Sequence, residues 1–309
     1  MRQIIEKPRF DIIFSKNHAI YRHVAFRYND HKKRRSVAFM GRRKKNDFQI
    51  DGQLTFDFCI EPSYQVVQAN KLIGGKQMLK LNSAKIIRAA IMQIKPKDQE
   101  IKPYAVSITE LAQLLGIPKN DLYRDVKGIA QDIFANPIYI KNDDKTGEFF
   151  AIPWVQLCGY QPDVGFVIQL NSVLKPWLLN LKEHYTQYPL ENILAMKSVY
   201  AIRIFELLQE KHIGKQIPLE GVDIEISVRE IRECCGLEEE IDKKGNVVRP
   251  KKYEKFSHFR ERVLDTAVNE INRIESSNYH VSYKCIKTGR TVTSILFNLN
   301  VDYHLPLLK

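Results

Sequence analysis

Ser107-Ile-Thr-Glu110-Leu-Ala-Gln-Leu-Leu-Gly116-Ile117 returns 120 residues later as Ser227-Val-Arg-Glu230-Ile-Arg-Glu-Cys-Cys-Gly236-Leu237. Serine, glutamate and glycine match identically, and five further positions are apolar or cysteine in both copies. Each matched residue has a local physical role. Serine followed three residues later by glutamate is a capping box, in which two side chains satisfy free N–H groups at a helix start. Positions 108, 111, 114 and 115 share one helical face, as do 228, 231, 234 and 235. Gly116 and Gly236 can take the left-handed conformation that ends a helix. Both segments therefore read as short helices of about two turns that start and stop by the same devices.

The neighbourhoods repeat as well. An amphipathic helix, Asn82 to Ile94, and a short strand, Tyr104 to Ser107, precede the first copy. A helix from Leu190 to Gln209 and the alternating strand Val222 to Ile226 precede the second. A turn and a longer helix follow each: Lys119 to Phe134, with Leu122, Val126, Ile129 and Ile133 inward, and Tyr253 to Ile274, with Phe256, Phe259, Val263, Ala267, Ile271 and Ile274 inward. Strands come next, at 138–140, 148–154 and 166–170 in the first half. In the second half, 279–286 and 291–301 flank the turn Lys287-Thr-Gly-Arg290. Helix, strand, short helix, turn, long helix and hairpin is the order of a winged helix, in which the second helix of the helix-turn-helix enters a DNA major groove. The expected fold class is α+β: two tandem winged-helix domains preceded by a basic N-terminal arm. Residues 1–62 form the arm, 63–186 the first winged helix and 187–309 the second.

Charge points the same way. The 309 residues carry a net charge of +12 and a pI near 9.3, which favours a polyanionic partner. Residues 1–60 hold 14 basic and 6 acidic side chains, peaking at His31-Lys-Lys-Arg-Arg35 and Arg42-Arg-Lys-Lys45. This leader reads equally as a DNA-tracking arm and as a solvated segment. The last third is nearly neutral, but residues 249–262 carry six basic and two acidic side chains. No apolar run approaches a membrane span, and the N-terminus lacks a secretory h-region. Five cysteines without a C-x-x-C pair fit a reducing cytoplasm and rule out the usual structural zinc spacings. No metal or cofactor is expected. Gly74-Gly-Lys-Gln77 lacks the spacing and the Ser/Thr of a phosphate loop and reads as a turn before the first helix. The eight histidines are scattered, so enzymatic chemistry has no motif to rest on.

On a helix starting near Tyr253, steps of 100° bring Phe256, Phe259, Val263 and Ala267 to one side and Lys255, His258 and Arg262 to the other. Arg262 and His258 are the candidates for base contact, since arginine can bind guanine through two hydrogen bonds. Lys251 and Lys252, just before the helix, are candidates for phosphate. Arg260 lies nearer the buried edge, where it braces the fold or reaches the backbone from the flank. Lys119, Arg124 and Lys127 play the same parts in the first module, and Lys287 and Arg290 sit at the second wing.

Two stretches carry a family resemblance. Ser198-Val-Tyr200-Ala-Ile-Arg203-Ile-Phe205-Glu206-Leu-Leu resembles the helix that opens the second winged helix of plasmid replication initiator Rep proteins, the theta-type initiators that bind iterons. Phe256-x-x-Phe259-x-x-x-Val263-Leu264-x-x-Ala267-x-x-Glu270-Ile271-Asn272 is similar to that family's recognition helix. The resemblance covers roughly residues 63–305; Phe205 stands where tyrosine is expected, and the basic leader is longer than usual. It implies a DNA-binding initiator without enzymatic activity. Such a protein binds direct repeats of double-stranded origin DNA as a monomer, helps to melt adjacent AT-rich DNA and recruits host helicase or initiator proteins. Many also repress their own promoter as dimers formed through the first winged helix. A cytoplasmic protein in monomer–dimer equilibrium, away from membranes, follows. A winged-helix transcriptional regulator without a replication role is the alternative, and an assembly protein using both modules as protein interfaces is a third reading.

Overall fold

The computed structural model describes residues 48–301, apart from 51–52, 60, 62–63, 144–147, 213–219, 243 and 275–278. Both basic runs of the expected arm lie outside the described residues.

The first half runs through β1 (Phe48–Ile50), β2 (Gln53–Asp57), β3 (Gln65–Ala69), α1 (Asn70–Gly74), α2 (Leu81–Met92), β4 (Tyr104–Val106), α3 (Ile108–Leu115) and α4 (Lys119–Ala135). Two hairpins follow, β5 (Ile138–Asp143) with β6 (Glu148–Ile152) and β7 (Val155–Gln161) with β8 (Gly165–Leu170), then α5 (Lys175–Leu178) and β9 (Tyr185–Pro189). The second half runs through α6 (Leu190–Ala195), α7 (Val199–His212), β10 (Val222–Ser227), α8 (Val228–Cys234), β11 (Glu240–Ile241) and β12 (Val247–Arg249). A helix in three parts comes next: α9 (Phe256–Phe259), a π turn (Arg260–Asp265) and α10 (Thr266–Ile271). β13 (Tyr279–Thr288) and β14 (Thr291–Val301) form the last hairpin.

Two sheets reveal the repeat. One has the order β1-β2-β4-β8-β7 and the other β10-β14-β13. Within them β4-β8-β7 and β10-β14-β13 are equivalent: the strand before the helix-turn-helix pairs with the second wing strand, which pairs with the first. Two tandem winged helices result. The wing of the first is β7–β8, and β5–β6 is an extra hairpin between recognition helix and wing. Sequence reading leaves β7 out because its in–out pattern is weak. Only Val155 is buried along it, and Gly159 contributes no side chain. On the other side β2 adds to β4 in parallel, so residues 53–57 extend the first sheet.

The repeated helices form as their sequence dictates. The Ser107 and Ser227 hydroxyls accept from the Glu110 and Glu230 amides at 3.2 and 3.0 Å. Gly116 and Gly236 sit at φ +67° and +62°. Other expectations are corrected. Gly74 closes the short helix α1 and Gly75 is extended, so the pair is not a simple turn before the first helix. The single helix expected from Leu190 to Gln209 breaks at Met196 (ψ 145°). The Glu270 carboxylate accepts from the Lys197 and Ser198 amides at 2.8 and 2.9 Å and so caps α7 from another helix, a long-range contact with no local signature. The second recognition helix starts at Phe256, because Tyr253 is held at φ +49°, outside helical space. The turn expected ahead of it contains the hairpin β11–β12.

α2 and α7, the helices ahead of β4 and β10, are buried almost all round. Their polar side chains must therefore find partners inside the protein. Arg88 of α2 donates from Nε and Nη2 to the Glu206 carboxylate of α7 at 2.9 and 2.8 Å, and Arg203 Nη1 donates to it at 2.6 Å. Gln68 Nε2 donates at 3.0 Å, and the Tyr188 hydroxyl completes the shell. Arg203 also donates from Nη2 to the Ile73 and Gly75 carbonyls. Burial by itself raises the Glu206 pKa, but the two guanidiniums outweigh it and hold the carboxyl down at about 2. Further ties between the two halves are the Gln77 amide on the Cys234 carbonyl (3.1 Å), Lys141 on Glu233 (2.5 Å) and Lys76 on Glu240.

Candidate nucleic-acid interface

The recognition helix of the second module buries Phe259, Val263, Leu264, Ala267 and Ile271 and leaves His258, Glu261 and Arg262 exposed. Beside it the wing buries Val281 of β13 and Ile295, Phe297 and Leu299 of β14. Helix and wing bound an open groove of about 1300 Å³. Six cationic side chains line it (Arg232, Lys251, Arg260, Lys284, Lys287 and Arg290) against two carboxylates, Glu254 and Asp265. A concave surface lined by one sign of charge concentrates the field that attracts a polyanion.

The approach to the helix is held by Arg232, which the sequence reading missed. Its guanidinium donates to the Lys252 and Tyr253 carbonyls at 2.6 and 3.1 Å and to Glu238 at 2.5 Å. Lys251 pairs with the same carboxylate at 3.2 Å. Partial burial works to raise the Glu238 pKa, yet Arg232 and Lys251 keep it below the usual carboxylate range. The Lys252 amide donates to the Leu237 carbonyl at 2.9 Å. The loop carrying both lysines is thus tied to the end of α8.

Of the candidate residues, Lys251, Arg260, Lys287 and Arg290 meet in the groove. Lys252 is exposed and lines a second cavity, of about 370 Å³, between the modules. Lys255 is the extended residue before α9, and His258 lies exposed on its first turn. Arg262 has 64% of its side chain exposed, and among the described residues its charged partner is Glu261 at 3.5 Å. In the first module Lys119 opens α4, and Lys119, Arg124 and Lys127 lie on its exposed side, opposite Leu122, Val126 and Ile129. Arg124 is bonded to Asp121. An edge contact between Tyr123 and Tyr160, centroids 5.6 Å apart, connects α4 to the wing strand β7. The sequence reading also missed Lys284 and Tyr283. The alternation of β13, with His280, Ser282 and Lys284 exposed around buried Val281, was the signal available.

Among the described residues no group of three His, Cys, Asp or Glu side chains could hold a metal ion, and no helix is long and apolar enough to cross a membrane. Comparison with known families matches residues 65–209 to "Initiator Replication protein, WH1" and residues 239–299 to "Initiator Rep protein, WH2", together about two thirds of the chain. The chain belongs to the initiator Rep protein family. This initiator Rep protein is 26% identical over 200 residues to the PI protein of Escherichia coli, covering 63% of this chain and 62% of that protein's length. In fold it matches the crystal structure of the Pi initiator protein in complex with iteron DNA. That match has a TM-score of 0.63 and 20% identity over 79% of this chain and 99% of that one.

Proposed function

We propose that this initiator Rep protein starts plasmid replication by binding directly repeated duplex DNA at an origin, with one winged helix in each of two major grooves. Binding helps to open adjacent DNA and presents the protein to host helicase or initiator proteins. As a dimer the protein represses its own promoter. It acts in the cytoplasm and performs no covalent chemistry. The observation that carries this reading is the paired architecture. Two winged helices of one initiator family follow one another in the chain, and the second presents a cationic groove beside its recognition helix. The solved Pi protein of the same fold is bound to iteron DNA.

Lys251, Lys252, Lys255, Lys287, Arg290, Lys119, Arg124 and Lys127 serve phosphates, Arg262 and His258 face bases, and Arg260 braces the fold or reaches the backbone from the flank. Footprinting on DNA flanking its own gene tests this: protection should fall on short direct repeats. If six to eight phosphates are neutralised, log K should fall with log salt at a slope of about −5 to −7. Lys251→Ala should lower that slope by about 1 and leave base preference intact. A slope near zero, or equal affinity for random duplex, refutes the proposal.

A further inference from the structure

Arg232 is buried beneath its partners, whereas Arg260 is an exposed cation of the groove that two side chains hold. Arg260 Nε donates to the Tyr283 hydroxyl at 3.2 Å and lies 3.7 Å from Asp265 Oδ2. The Tyr283 hydroxyl in turn donates to Asp265 Oδ1 at 2.5 Å. The chain of bonds crosses from helix to wing: Arg260 and Asp265 are the first and last residues of the π turn, and Tyr283 is on β13. The π turn makes the arrangement possible. Residues five apart on an α-helix are 140° apart around the axis and do not face one neighbouring side chain. An i→i+5 turn stacks them as i and i+4 stack in an α-helix. The Tyr283 ring is fixed against Phe297, centroids 6.0 Å apart. Burial and the bond to Asp265 push the tyrosine pKa up to about 12, so the hydroxyl keeps its proton at any ordinary pH.

We propose that Arg260 is the base-reading arginine of the second module, and that Tyr283 and Asp265 are positioning residues that aim it. This rests on the DNA-binding role proposed above and adds the residue that sets specificity. Arg260 spends Nε on Tyr283, and among the described residues nothing engages its two Nη groups, the parallel donors that a guanine edge accepts. An arginine already aimed by two partners loses less side-chain freedom on binding than Arg262, which among the described residues has only the exposed Glu261 carboxylate at 3.5 Å. The sequence reading prefers Arg262; the two assignments give opposite results in one experiment.

The experiment is a double-mutant cycle in the full chain. Wild-type protein selects duplexes from a random library, and affinities for the selected duplex, its single-base variants and an unselected duplex are then measured. Arg260→Ala should reduce preference at one or two adjacent base pairs by about 10-fold or more. Tyr283→Phe, which keeps the ring on Phe297, should relax the same positions by about 3- to 10-fold while changing affinity for the unselected duplex less than about 2-fold. The double variant should match Arg260→Ala alone. Asp265→Ala should repeat the Tyr283→Phe pattern and stands in if that variant melts early. Multiplying effects in the double variant, relaxed preference at different base pairs, or loss of preference only in Arg262→Ala would each overturn the proposal. A wild-type protein that selects no sequence overturns the DNA-binding role itself and this inference with it; selection followed by a multiplicative cycle overturns the inference alone.

Discussion

Glu206→Gln should loosen the joint between the two modules. The carboxylate collects donors from Arg88, Arg203, Gln68 and Tyr188, and neither its side chain nor that of Arg88 has any solvent exposure. Glutamine keeps the shape but removes the charge and turns an NH₂ toward groups that already donate. Two guanidiniums then remain buried with no counter-charge. Breaking such a pair from one side costs about 3–5 kcal/mol. Proton linkage gives a similar figure. A carboxyl held at about 2 rather than 4.5 contributes on the order of 3 kcal/mol at neutral pH, at about 1.4 kcal/mol per unit. Because the folded pKa is the lower one, this stabilisation is complete above the unfolded pKa near 4.5. It is lost as pH falls from there through about 2. Thermal unfolding at pH 7 should therefore show Glu206→Gln melting roughly 6–12 °C below wild type, and the gap should narrow as the pH is lowered from 5 toward 2. Replacing Arg88, Arg203 and Glu206 together by apolar residues of similar size should cost less than Glu206→Gln alone, because no buried charge is left unpaired. A Glu206→Gln protein within about 1 kcal/mol of wild type at pH 7, or a gap independent of pH, would show that the network does not lock the modules.

Ser107→Ala and Ser227→Ala should each destabilise by about 1 kcal/mol in urea unfolding, since each removes an acceptor for a helix-start amide. Matching losses would confirm that the repeat is one device used twice. Gly236→Ala should cost about 2–4 kcal/mol: the backbone is at φ +62°, and a Cβ would come within 2.5 Å of Met78 Cγ in the other module. Met78→Ala in the same protein should recover the steric part and leave the backbone part, which unfolding of the double variant would separate.

The winged helices were legible because their signals are local. A capping serine, a glutamate three residues on, an apolar face and a terminal glycine occupy eleven consecutive residues, and the second copy rules out coincidence. What escaped was written in distant residues. Met196 breaks a helix because Glu270, more than seventy positions away, offers a better set of bonds to Lys197 and Ser198. The partners of Arg88 lie on α7, so a charged residue on a buried helix face reads as an anomaly until the second module is in place. β7 lacks alternation because its half-buried positions run consecutively from Leu157 to Gly159, and a period-two search has nothing to find.

The site was legible in composition, and the structure adds what holds each side chain. Six basic residues between 249 and 262 mark the right segment. Assigning their directions by 100° steps assumes an α-helix throughout, and the π turn at Arg260–Asp265 breaks that assumption where the choice matters. More residues per turn means that each advances less around the axis. Val263 and Leu264 are both fully buried. The extra residue in the turn is tied off by the Thr266 hydroxyl, which donates to the Glu261 carbonyl five residues back at 3.0 Å. It also brings Asp265 under Arg260, where the wing tyrosine binds both. Arg260, placed by the wheel near the buried edge, has 59% of its side chain exposed in the groove while its Nε stays anchored. A basic stripe identifies a helix that meets a polyanion. Which of its arginines can read a base depends on which one the fold holds still, and that is decided by a tyrosine on another element that no pattern along the helix contains.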